Sequence, residues 1–489
     1  MPPRQSPSAS RLQRHRASGW GPRPCGAARW LLCAGLLAVL APAQGIAPDA
    51  FAGAARKLLA DPSPRVRGEA ALVVATARHP ADLEAVRRVA GETDPAASHR
   101  GLVALGLLAV PGTSPALVTL LPQPGERVDD RAVVAAFALA LLPDDDGSAE
   151  IARVLVRTRQ GSFRRQQPLL HAVTLGTSLR TGTMHAGALE QMLHDESLKD
   201  PIVRSLLLAS LARIEGMPAD ADLRTGLASP ETAERTAALR VLLQRQGGTA
   251  WWELTARLAA RDPDAQVRAL ALAHLTATRH PRALETARAA LRSAAPEECA
   301  QAVRTLLALG GGSMRALAES TVLDAGTPAR TTAMLLAWRG APSQDMASWC
   351  RATALDGRQP VGLRAACALA ALDVVGTELL PALTAGLVDC DEPEVRDAAA
   401  RALRLRTDGR PVEELAPADA MHAERTGRVL GSLLRAGHVQ AAQHAVRLLE
   451  DPQAGPALRA AVLTGVRAAL VPWLQAPQGP EPLRAALAR

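Results

Sequence analysis

Apolar residues recur at helical spacing along most of the chain, and short polar breaks cut them into pairs. Val66, Ala70 and Val74 form one stripe, and Val267, Ala271 and Leu275 form another; each predicts a helix with a single apolar face. Both stripes follow an Asp-Pro turn, Asp61-Pro62 and Asp262-Pro263. Asp caps helix N-termini and Pro fits the first helical position, so the turn predicts the start of the second helix of a pair. The first helix of the pair is predicted over Leu83 to Val89 and Leu254 to Leu258, set off by the breakers His79-Pro80 and Gly247-Gly248.

The pairs are periodic. Arginine returns at positions 67, 100, 131, 165, 204, 235, 268, 304, 330, 364, 396, 428 and 459, with intervals mostly of 31 to 36 residues and a mean near 33. A second match removes chance as the source: Arg78-His79-Pro80, Leu83-Glu84 and Arg87 return 201 residues later as Arg279-His280-Pro281, Leu284-Glu285 and Arg288. A unit of this length cannot bury its apolar face alone, so neighbours must stack into a continuous core.

The pattern resembles the HEAT family of α-solenoids, in particular the short HEAT-like repeats named after phycobilisome lyases. Tetratricopeptide repeats have a similar period but need tyrosine, and the chain has none; the ankyrin motif Thr-Pro-Leu-His is also absent. The resemblance implies an all-α, right-handed α-solenoid of about thirteen stacked helical hairpins over residues 44–475, with a cap or tail at 476–489. With helices packed about 10 Å apart, such an array is expected to be an elongated curved rod on the order of 100 Å long. The resemblance also implies a hydrogen-bonded ladder between turn Asp and helix Arg of successive units. Asp61, Asp94, Asp262 and Asp324 stand six residues before Arg67, Arg100, Arg268 and Arg330, and Ser229 holds that place before Arg235. Arg364 and Arg459 depart from the spacing. These pairs are expected to be structural, since a guanidinium holds carboxylate and carbonyl acceptors together while its stem packs on apolar neighbours.

Residues 1–43 read as a signal peptide. Arg4, Arg11, Arg14, Arg16, Arg23 and Arg29 precede an apolar run, Trp30 to Ala41, and Ala41-Pro42-Ala43 offers small residues for cleavage before Gln44. The run is too short to cross a membrane, which needs about 18–20 residues, so the mature chain is expected to have no transmembrane span. The export segment also changes the charge argument. The chain carries +8, six of those positives precede residue 44, and about +2 remains, which does not favour nucleic-acid binding. Only Lys57 and Lys199 are lysines.

No catalytic motif stands out, and no cofactor or metal is expected. Gly310 to Gly312 follow an apolar run and read as a helix terminator. His185 and His194 are nine residues apart, which does not align two ligands on one helix face. Asp144-Asp145-Asp146-Gly147 resembles the start of a calcium loop, but the twelfth position is Leu155, and a capped turn is the better account. His79 and His280 beside Pro are expected at helix C-termini, where a partly positive imidazole suits the dipole. Cys350 and Cys367 fall on the two helices of one unit and could face each other as thiols or as a disulfide. Trp251 and Trp252 are adjacent, about 100° apart on a helix, so one is a possible protein-binding anchor and the alternative is packing against a neighbouring unit. The expected function is an exported, non-enzymatic scaffold for an unknown protein partner in the periplasm or outside the cell. The alternative is a HEAT-like lyase or enzyme subunit binding a small molecule or chromophore.

Overall fold

A computed structural model describes residues 48–122, 126–142, 163–179, 186–195, 200–212, 218–245, 248–324, 326–406, 412–418, 420–475 and 483–485. Among these residues every regular element is a helix. The expected calcium-like turn at 144–147, His185 and the export segment lie outside them.

The helices form two layers. Thirteen belong to one layer: α2 (Pro64–Ala75), α4 (Pro95–Leu108), α6 (Asp130–Leu141), α7 (Phe163–Leu179), α9 (Pro201–Leu211), α11 (Thr232–Gln244), α13 (Ala265–Ala277), α15 (Pro296–Leu309), α17 (Pro328–Ala337), α19 (Val361–Val375), α21 (Pro393–Arg406), α23 (Ala423–Arg435) and α25 (Pro456–Leu470). Each packs against the next, and α25 packs against α2. The other layer holds α1 (Pro48–Leu58), α3 (Leu83–Ala90), α5 (Thr113–Val118), α8 (Ala186–Leu193), α10 (Asp220–Ala228), α12 (Trp252–Arg261), α14 (Ala283–Ala290), α16 (Gly312–Leu323), α18 (Gln344–Leu355), α20 (Leu380–Val388), α22 (Val412–Leu415) and α24 (Val439–Glu450). Most of these touch their partners in the first layer more than one another, whereas α22 packs on α24.

The solenoid is therefore closed. The expected open rod is corrected to a ring, in which the final hairpin, α24–α25, packs on the first, α1–α2. Closing thirteen units requires each to turn by roughly 28°. With inner helices about 9 Å apart the ring of axes has a radius of roughly 19 Å, and an outer layer about 10 Å further out spreads to a spacing of about 14 Å. That divergence explains why inner neighbours pack and outer neighbours barely meet.

Small residues let the inner helices approach closely enough to turn. A Cβ on Gly427 of α23 would lie 2.3 Å from the Ala461 carbonyl oxygen of α25, and one on Gly465 would lie 2.3 Å from the Gly427 carbonyl oxygen. The two backbones touch there, as close approach requires. An inner helix can be buried nearly all round: α4 is buried at every residue from Ala97 to Leu108. Both predicted stripes, Val66-Ala70-Val74 and Val267-Ala271-Leu275, are fully buried.

Local chemistry differs from the expectation at the turns. The caps of α2 and α13 are Ser63 and Asp264, not Asp61 and Asp262. Asp61 accepts from the Ser63 N–H at 2.9 Å and Asp262 from the Asp264 N–H at 3.0 Å, so each folds the turn before the helix rather than capping it. The duplicated Arg-His-Pro motif holds its backbone in common: Arg78 and Arg279 have φ of 54° and 52°. Gly310 caps the C-terminus of α15 as expected. Leu483, in the terminal segment, is buried in the core.

Val361–Val388 is long and apolar enough to cross a membrane by length and composition. In the ring it is α19 and α20, which pack on each other and bend at Gly376, where φ is +83°.

Among the described residues three ion pairs cross the seam. Arg459 donates to Asp61 at 2.8 Å, Lys57 to Glu450 at 2.7 Å, and Arg467 lies 3.3 Å from Glu69. Glu69 is fully buried and also accepts from Arg100 at 2.9 Å. In a double-mutant cycle, Asp61→Ala and Arg459→Ala are expected to couple by about 0.5–3 kcal/mol although their positions lie at opposite ends of the chain. Strict additivity in denaturant unfolding would mean that the seam is open in solution.

Candidate functional site

Two ladders hold the ring and determine which surfaces it presents. The inner ladder starts from the fourth residue of an inner helix, occupied by Arg67, Arg204, Arg235, Arg268, Arg364, Arg396 and Arg459. From there a guanidinium reaches back to the carbonyls that its own hairpin turn leaves unpaired. Arg67 donates to Asp61 O at 2.6 Å, Arg235 to Ser229 O at 2.9 Å, Arg268 to Asp262 O at 2.7 Å and Arg396 to Cys390 O at 2.7 Å. Its remaining N–H groups reach a carboxylate of the following hairpin. Arg67 binds Glu92 at 2.7 Å, Arg235 binds Asp262 at 2.8 Å, Arg268 binds Glu298 at 3.0 Å, and Arg204 lies 3.2 Å from Glu234. Arg459 to Asp61 is the same rung as Arg235 to Asp262, made across the seam.

The expected Asp/Arg pairs are thus rearranged. Asp61 and Asp262 give their backbone carbonyls to Arg67 and Arg268 and their carboxylates to the arginine of the preceding hairpin. Asp94 caps α4 through the Ala96 N–H at 2.7 Å, and Asp324 ends α16. Arg100 and Arg330 sit elsewhere on their helices, because the fourth positions of α4 and α17 are Ser98 and Thr331. Arg100 pairs with Glu69, and Arg330 donates to the Cys299 sulfur at 3.2 Å. Carboxylate hydrogen bonds raise the guanidinium pKa of Arg67 and Arg268 above its ordinary value, each from its rung partner, Glu92 and Glu298.

The outer ladder was not anticipated. A basic side chain on an outer helix reaches the start of the next one: Arg56 binds Asp82 at 2.8 Å, Arg87 the Gly112 carbonyl, His194 Asp222 at 2.7 Å, Arg288 the Met314 sulfur at 3.1 Å, Arg315 the Ala341 carbonyl, and Arg351 Glu378 at 2.9 Å. Arg224 makes the same step with its guanidinium 4.7 Å from the Trp251 ring centre. At the seam the contact differs: Lys57 in the last turn of α1 pairs end to end with Glu450, the last residue of α24. Long flexible stems suit this gap, which the diverging outer layer leaves too wide for short side chains. The signal in the sequence was a basic residue in the last turn of α1, α3 and α14.

The Trp251-Trp252 pair belongs to this system. Trp251 is buried beneath Arg224, and Trp252 meets the His280 ring edge-on at 4.8 Å, so the two indoles join three consecutive hairpins. His280 does not carry the positive charge expected of it. Burial, and then the charge of Arg282, push its pKa down, and its Nδ1 accepts from the Arg282 N–H at 3.0 Å. Burial likewise lowers His99 and His438. Among the described residues no group of three His, Cys, Asp or Glu side chains is placed to hold a metal ion. Arg304 and Ala308 of α15 and Arg401 and Arg404 of α21 are exposed, although desolvation and then the charge of Arg339 lower the pKa of Arg304.

No family model and no curated protein matches the chain. Among solved structures, a crystal structure of Kap121p aligns with 91% of this chain and 52% of its own at 12% identity and a TM-score of 0.28. The karyopherin Kap121p bound to the extreme C-terminus of the protein phosphatase Cdc14p gives the same values. The chain spans about half the length of these structures. At that overlap the HEAT-like description rests on the stacked hairpins themselves.

Arg268→Ala is expected to lower stability by about 2–4 kcal/mol, because it leaves two carbonyls without this donor and a buried carboxylate with only the Ser293 hydroxyl, while the exposed Arg292→Ala changes it by under about 1 kcal/mol. Equal calorimetric midpoints for the two variants would remove the inner ladder as a stabilising element. The buried histidines set a pH dependence. Because the folded chain holds them below the ordinary value of about 6.5, only the unfolded chain takes up their protons as the pH falls past that value. Stability is therefore full above about pH 6.5 and declines on acidification towards the folded values, and His280→Gln is expected to flatten that decline. A melting temperature as pH-dependent in His280→Gln as in the parent chain would show that His280 has no part in it.

Proposed function

We propose that this chain is an exported, non-enzymatic scaffold that holds a protein partner in the cell envelope, periplasmic or extracellular, after removal of residues 1–43. The observation that supports it most is the closed ring with rungs in both layers. A ring fixed in this way presents its surfaces already formed, so a partner loses little binding energy to ordering the scaffold. The arginine-rich leader with Ala41-Pro42-Ala43 supports export, and the near-neutral remainder of the chain argues against nucleic acid as the partner.

The test is crosslinking of tagged full-length protein in its own envelope fraction, followed by mass spectrometry that also covers the N-terminus. The reading expects a chain that begins near Gln44 and one stoichiometric protein partner. An uncleaved chain carrying a chromophore or nucleic acid would overturn both the localisation and the scaffold.

A further inference from the structure

We infer that Cys350 and Cys367 are an oxidisable pair, and that their disulfide staples an outer helix to its inner partner within one hairpin. Cys350 lies on α18 and Cys367 on α19, the two helices of one hairpin, and both side chains are fully buried. Ala347 and Ala354 on α18 and Ala366, Ala368 and Ala371 on α19 are buried beside them. α18 and α19 pack closely along this small-residue face, which sets the two thiols side by side. The hydrogen bond with Cys350, and then burial, push the Cys367 thiol well above its ordinary range. Both thiols are free in this structure.

The position gives the staple a consequence. Beside this hairpin the main core continues through α20 and α21, and Ala365, Cys390 and Val395 form a small satellite cluster between α19 and α21. There Arg364 and Arg396 donate to the carbonyls of Ala354 and Cys390. The exposed pair of Arg351 and Glu378 is the outer bridge across the same junction. A covalent link between α18 and α19 would anchor the outer helix that carries Arg351 to the inner helix beside this cluster.

The reaction needs a disulfide as oxidant, such as oxidised glutathione, admitted by local opening of the α18–α19 hairpin. The Cys350 thiolate attacks one glutathione sulfur, forms a mixed disulfide and expels the first glutathione as a thiol. Cys367 loses its proton, attacks the Cys350 sulfur of that mixed disulfide and expels the second. Two protein thiols are oxidised by two electrons to one disulfide, and one glutathione disulfide is reduced to two thiols. The inference does not depend on where the chain resides.

The test is native full-length chain equilibrated in glutathione buffers of rising oxidised fraction, acid-quenched, and mapped by mass spectrometry without reduction. The expected result is a linked Cys350–Cys367 peptide pair, lighter by two hydrogens, with a melting temperature several degrees higher that a reductant reverses. Cys350→Ser is expected to lose both the link and the reversible shift. Free thiols at both positions in the native chain under fully oxidising buffer, with linkage only after denaturation, would overturn the inference. Mapping the parent chain decides this even if Cys350→Ser does not fold.

Discussion

The rest of the structure depends on the guanidinium at the fourth residue of an inner helix. A hairpin turn leaves carbonyls unpaired at the mouth of the helix that follows, and burial between stacked units would make them costly. One planar fork satisfies those carbonyls and still reaches a carboxylate of the next hairpin. Each rung therefore ties the geometry within a unit to the geometry between units, and repetition of one local contact propagates a fixed rotation. The Arg459 to Asp61 rung shows that the rotation sums to a full turn, because the last hairpin meets the first in the register that an interior hairpin uses with its neighbour.

Closure and the two-layer division follow from different properties of the chain. Glycine and alanine in the inner layer set how near neighbours approach, and long arginines in the outer layer span the space that opens as a result. The acceptors of the outer rungs are carboxylates at Asp82, Asp222 and Glu378, carbonyls at Gly112 and Ala341, a sulfur at Met314 and an indole face at Trp251. What is repeated there is the donor and its reach.

The hairpins, their period and the buried stripes were legible because each is encoded within a few adjacent residues. Val66-Ala70-Val74 announces its own helix whatever surrounds it. The thirteen periodic arginines were visible as well, but their side chains are long enough to serve from several helical positions, so Arg100 and Arg330 kept the period while leaving the ladder. The outer rungs escaped notice because their acceptors share a place and not a residue type. Closure was illegible for a different reason. It is a sum of small rotations, and no single unit states the total. His280 was misjudged because its neighbour Trp252, which desolvates it, lies in the preceding outer helix, where a reading along the chain places only a Pro and a helix end.

A closed ring has no terminal repeats. An open array frays from its ends and relies on polar caps, whereas here each hairpin has a neighbour on both sides. The seam joins the first hairpin to the last, so the contact that completes the first cannot form until α25 has been made. Until then α2 exposes the face that α25 will cover, with Glu69 lacking one of its two arginines. The entropy of joining such distant segments grows only with the logarithm of the intervening length, so the ring sacrifices little stability for its size. It does make the final hairpin the step on which completion of the whole assembly waits, and a chain cut short by one unit would be left with two unmatched edges.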